Sequence, residues 1–145
     1  MIKVKNGKDF KEAMTAIALK TEKKMGKQIN QKLAIDAFSQ LVFASPVKFG
    51  YLRHNWDITI DIQAPEDIEP EPEKGKKYKA PKRKPVTGIK YNSVTTLYNN
   101  TSYATYVENG TEFMDAQPMV APVEMSTYKQ AEFLCKALSI EKFDD

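Results

Sequence analysis

Apolar residues recur at three- and four-residue steps through the first third of the chain: Phe10, Met14, Ile17, then Met25, Ile29, Leu33, Ala37 and Leu41. That spacing draws one stripe along an α-helix. Asp9 followed by Glu12 resembles a capping box, in which each side chain satisfies a backbone N–H at the helix start. Pro46 closes the run because it disfavours helical geometry at Ser45. The pattern predicts a helix from about residue 9 to about residue 44. Gly26 stands inside it as a candidate weak point, at a cost of about 1 kcal/mol against alanine.

The pattern then changes period. Trp56, Ile58, Ile60 and Ile62 alternate with Asp57, Thr59 and Asp61, which predicts a strand with one apolar and one wet face. Residues 65–85 break every regular pattern. Five of the eight prolines fall there, and five acids (Glu66, Asp67, Glu69, Glu71, Glu73) precede seven bases. Such a segment has little to bury against its ordering entropy, and reads as a long hairpin extension that orders against a neighbour. Three further strands are expected at Thr87–Tyr91, Val94–Tyr98 and Tyr103–Val107, with turn chemistry at Asn99–Ser102. Pro122 fits the first position of a closing helix whose buried stripe would be Val123, Tyr128, Ala131, Leu134, Cys135 and Leu138. Helices segregated from an antiparallel sheet define an α+β domain, here a single one over residues 1–145.

Composition narrows the class. Hydrophobic residues at 41% and charged residues at 28% suit a soluble globular protein. One cysteine, Cys135, excludes an internal disulfide, and no apolar run approaches the roughly 20 residues that cross a bilayer. The N-terminus has no apolar stretch of the secretory kind, so a cytoplasmic place of synthesis is expected. The net charge of +3 is unevenly spread. Lys74, Lys76, Lys77, Lys79, Lys82, Arg83 and Lys84 form a run without an acid; setting those seven aside leaves 15 bases against 19 acids.

Catalytic and cofactor templates are nearly empty. The lone histidine, His54, has no second His or Cys at metal-ligand spacing, and reads as a surface or interface side chain. Cys135 reads as a small core residue rather than a nucleophile paired with His54. The six glycines begin no phosphate-cradling run. Neither an enzyme, a metal site nor a cofactor is expected. The basic run has three readings: a loop docked on an acidic neighbouring subunit, a loop beside a DNA channel, or a solvated loop. Tyr78 among the lysines could stack on a base, while the adjacent acids argue for subunit pairing.

Two stretches carry a recognisable order. The first is Ala44-Ser45-Pro46-Val47-Lys48-Phe49-Gly50-Tyr51-Leu52-Arg53-His54-Asn55-Trp56. The second is Tyr103-Ala104-Thr105-Tyr106-Val107-Glu108-Asn109-Gly110-Thr111, followed by Ala116-Gln117-Pro118-Met119. Together they resemble the neck and tail-completion family of tailed bacteriophages, the head–tail joining and minor tail proteins. Lys48-Phe49 departs from the Asp-Thr common there, and Met119 from a phenylalanine. The resemblance implies a structural subunit, assembled in the host cytoplasm, that sits in the virion neck. Copies would close into a homo-oligomeric ring, a hexamer, between the head-closure connector and the tail terminator or tube. Double-stranded DNA would pass through the axis and touch it non-specifically; no membrane is involved. The alternative is a nucleic-acid-binding module acting through the basic loop.

The same residues have physical uses. Pro46 stops a helix, Gly50 and Gly110 suit turns, and Leu52 and Trp56 suit a core. Tyr103, Tyr106 and Val107 carry β-propensity, and Pro118 leads into the last helix. Arg53 and Glu108 are the candidate interface charges of the two motifs. Lys76, Lys77, Lys79, Lys82, Arg83 and Lys84 are those of the loop.

Overall fold

The computed structural model describes the backbone of residues 7–47, 50–81 and 86–143, with side chains described at 20, 22–47, 50–81 and 86–137. Helix α1 runs over Gly7–Ala44, a short α2 over Tyr51–His54, and strand β1 over Trp56–Ile60. Strand β2 covers Thr95–Asn99, α3 Ala104–Asn109 and α4 Val120–Phe143. The strands form a two-stranded antiparallel sheet in which Trp56 faces Asn99 and Ile60 faces Thr95. Helices and a small antiparallel sheet together give the α+β class.

Helix α1 has 38 residues, about 57 Å of rod at 1.5 Å per residue. It ends where Pro46 requires, and it passes Gly26 without a break. The expected stripe is present in its second half: Met25, Ile29 and Leu33 are half-buried, and Ala37 and Leu41 are buried with Ala34 and Phe38. Phe10, Met14, Ile17 and the Asp9–Glu12 pair lie outside the described side chains. The core gathers Ala37, Phe38 and Leu41 of α1, Leu52, Trp56, Val107, Met119 and Val123. Helix α4 packs along α1, contributing Val123 to that cluster, and the Gln130 side-chain amide donates to Asp36 at 2.8 Å.

Several expectations are corrected. Strand β1 stops at Ile60 because Asp61 takes a left-handed φ of 59° and turns its carboxylate onto Val94 N–H (2.9 Å) and Ser93 Oγ (3.0 Å). Ile62 is therefore exposed instead of extending the apolar face. The other face is not fully wet either, since Thr59 is buried. Residues 87–91 form turns, not a strand; Ile89 is fully buried as an anchor. In place of the strand expected at Tyr103–Val107, the chain forms helix α3 with Tyr103 as its cap, and the Val107 amide bonds the Tyr103 carbonyl. On α4, Val123 is buried and Ala131 and Leu134 half-buried, but Tyr128 and Cys135 are exposed, with Thr127 and Gln130 facing inward instead. Leu138 lies outside the described side chains. Among the described residues no helix is long and apolar enough to cross a membrane.

Candidate functional site

The first motif is a latch at the end of α1. Ser45 is buried, and its Oγ donates to the Leu41 carbonyl (2.8 Å) while accepting the Trp56 indole N–H (2.6 Å). The Arg53 guanidinium donates to the carbonyls of Phe43 (3.1 Å) and Ser45 (3.0 Å). Those carbonyls belong to the end of α1, where the helix dipole favours a cation. Gly50 opens α2 with φ of 74°, and a Cβ there would strike the Tyr78 carbonyl oxygen. Leu52 and Trp56 are core residues as expected, and Pro46 is half-buried beside the turn.

The second motif is the matching latch at the start of α4. Glu108 accepts the backbone N–H groups of Met119 (2.6 Å), Val120 (2.9 Å) and Ala121 (3.1 Å). The next residue is Pro122, which has no N–H, so one carboxylate and one proline account for the orphan donors of the helix start. Burial pushes the Glu108 carboxyl up, but the three N–H donors outweigh it and leave it below the usual range. Gly110 has φ of 75°, and a Cβ there would lie 2.7 Å from the Ala116 nitrogen. Val107 accepts from the Gln117 amide (2.8 Å), which holds the chain as it passes the exposed Pro118 towards Met119, itself buried. Tyr103 is half-buried with its phenol raised by burial, and Tyr106 is exposed. Arg53 and Glu108, expected at interfaces, are thus engaged inside the chain as helix-end partners.

The charged loop also turns inward. Glu69 N–H reaches the Asn100 carbonyl (2.8 Å), Asn100 Nδ2 reaches the Pro65 carbonyl (2.6 Å), and Ser102 Oγ donates to Glu71 (2.8 Å). The Tyr51 hydroxyl donates to the Pro70 carbonyl. Tyr78 packs edge-on to Tyr51 with ring centroids 4.7 Å apart, so its ring is engaged within the chain rather than held out for a base. His54 Nδ1 lies 2.7 Å from the Lys79 carbonyl, which can only accept, so Nδ1 carries the proton. Lys74, Lys76, Lys77 and Lys79 are exposed; Lys76 sits 5.1 Å from the Tyr78 ring and 3.9 Å from Glu73. Lys82, Arg83 and Lys84 lie outside the described residues.

A second cationic surface was missed by reading the charge only as a local run at 74–84. Lys20, Lys23, Lys24 and Lys27 of α1 line a groove of about 530 Å³ together with Lys90 and Tyr91. The signal was present: spacings of three, one and three residues place four lysines on one helix face. No sequence signal brings Lys90 to them.

Beside Arg53 a second, apolar groove of about 500 Å³ opens between α1 and β1, walled by Phe38, Val42, Phe43, Ile58 and Pro81. Among the described residues, no three His, Cys, Asp or Glu side chains converge as metal ligands. Set against protein families, curated proteins and solved structures, the chain matches none.

Proposed function

We propose that this chain is a structural subunit of a ring in the neck of a tailed bacteriophage, joining the DNA-filled head to the tail around an axial passage. The observation that carries the reading is the amount of large apolar surface left uncovered. Phe113 is 93% exposed, Phe43 82%, Tyr128 74% and Phe133 70%. These rings occur on a turn, at the end of α1 and along α4, and contacts between neighbouring copies would cover them. Contacts between unlike faces of neighbouring copies close into a ring when the rotation per subunit divides a full turn. A hexamer between head-closure and tail-terminator rings is the expected arrangement, in virions assembled in the host cytoplasm.

The two motifs support the same reading through rigidity. One latch fixes the end of α1 and the other the start of α4, so Phe43, Tyr128 and Phe133 are carried on helices each anchored at one end. No turnover is required of such a part. The test is immunogold labelling of intact virions with antibody to this chain. Label at the head–tail junction supports the proposal, and virions devoid of the chain contradict it. The second reading is a nucleic-acid-binding module, with the lysine groove on α1 rather than the basic loop at 74–84 as the surface that favours it.

A further inference from the structure

We propose that the groove formed by α1 and the 89–91 turn binds the phosphate backbone of double-stranded DNA, independently of the basic run at 74–84. Four lysines at positions 20, 23, 24 and 27 fall within a sector of about 100° on α1. They span about 10 Å of its axis, a length over which one strand of a duplex presents about three phosphates. Glu22 falls on the other side of the helix, and Met25 and Ile29 mark the core side. Among the described residues these four ammonium groups and that of Lys90 have no carboxylate at salt-bridge distance.

A row of lysines alone would be a solvated helix face. Here the fold adds to it. Ile89 is fully buried and fixes the turn, and the Gln31 amide donates to its carbonyl (3.4 Å). The Asn30 amide donates to the carbonyls of both Lys90 (3.0 Å) and Tyr91 (2.8 Å). Gly26 makes this approach feasible: a Cβ at that position would stand 3.1 Å from Tyr91 Cβ. The contact brings a fifth ammonium against four others, which like-charge repulsion opposes. It also sets the Tyr91 ring 5.4 Å from Lys23 Nζ.

The chemistry favours a nucleic acid over a protein. Lysines are depleted from the cores of protein interfaces, and among the described residues the groove is walled by five lysines and one tyrosine. A flexible ammonium suits a phosphate as a point charge and needs no fixed geometry. Binding of this kind is insensitive to sequence and sensitive to salt.

The experiment is fluorescence anisotropy of the full chain with a labelled duplex of roughly 20 base pairs, titrated between about 50 and 200 mM salt. Polyglutamate of equal charge serves as the competitor. Five phosphate contacts predict a slope of log affinity on log salt of about −4.5. Replacing Lys20, Lys23, Lys24 and Lys27 by serine should bring the slope to about −1 and weaken binding at least about tenfold at low salt. Circular dichroism checks that the variant is folded. Lys90→Ser tests the turn alone and should reduce the slope by about one. Serine at Lys74, Lys76, Lys77 and Lys79 should leave affinity nearly unchanged. The proposal is overturned if the wild-type chain ignores duplex DNA, or if polyglutamate competes as well as DNA. It is equally overturned if the folded α1 variant keeps the wild-type slope.

Discussion

At the scale of single residues, two charges that sequence motifs singled out turn out to hold helix ends. Glu108 neutralises three N–H donors at the start of α4, and Glu108→Gln is expected to cost about 1 kcal/mol at neutral pH. The sign of its pH dependence follows from the lowered carboxyl. The unfolded chain binds this proton more readily than the folded one, so the contribution is complete above the ordinary value of 4.5 and fades as pH falls below it. Urea unfolding followed by circular dichroism should therefore show a wild-type loss of stability below about pH 4.5 that is shallower in Glu108→Gln. Arg53→Met removes the cation at the end of α1 and should destabilise by about 1 kcal/mol in the same assay. Gly50→Ala meets both a left-handed backbone and the Tyr78 carbonyl. It should cost more than about 1–2 kcal/mol and expose Lys74–Lys79 to trypsin, since that clash loosens the loop from α2.

At the scale of elements, legibility followed the range of the interactions. Helix α1 was readable because its stripe and its stop at Pro46 are local, and the Trp56–Ile60 strand because its alternation is local. The strand's early end at Asp61 was hidden: it depends on Val94 and Ser93, more than thirty positions away. Tyr103–Val107 misled through β-propensity, which burial of Val107 and the bond from Gln117 override. Of the motif residues, Leu52 and Trp56 lie in the core while Tyr106 and Pro118 are exposed, and the partners of Glu108 and Arg53 were hidden, since only the folded chain brings Glu108 to Met119 or Arg53 to Phe43. The loop shows the same limit. Its composition gave no sign that Asn100, Ser102 and Tyr51 of its own chain bond to Pro65, Glu71 and Pro70. Replacing Asn100 by alanine should raise hydrogen exchange across residues 65–71, with little change in α1.

At the scale of the whole molecule, basic and acidic residues are concentrated in different stretches of the chain. Residues 1–32 carry nine lysines against three acids, whereas residues 104–145 carry three lysines against eight acids. A chain so divided offers a basic region and an acidic one, a pairing that favours head-to-tail contacts between copies. The exposed Phe113, Tyr128 and Phe133 lie within the acidic part. Phe113→Ser combined with Phe133→Ser should leave unfolding unchanged within about 0.5 kcal/mol while lowering the mass of cross-linked assemblies, read by sedimentation. Equal assembly in that variant would assign the contacts to other surfaces.

The neck assignment is tested most directly by electron microscopy of lysates from the virus carrying this reading frame, with the frame interrupted. The account predicts DNA-filled heads and complete tails lying unjoined, restored to whole particles when the chain is supplied. Heads joined normally to tails without it would contradict the account.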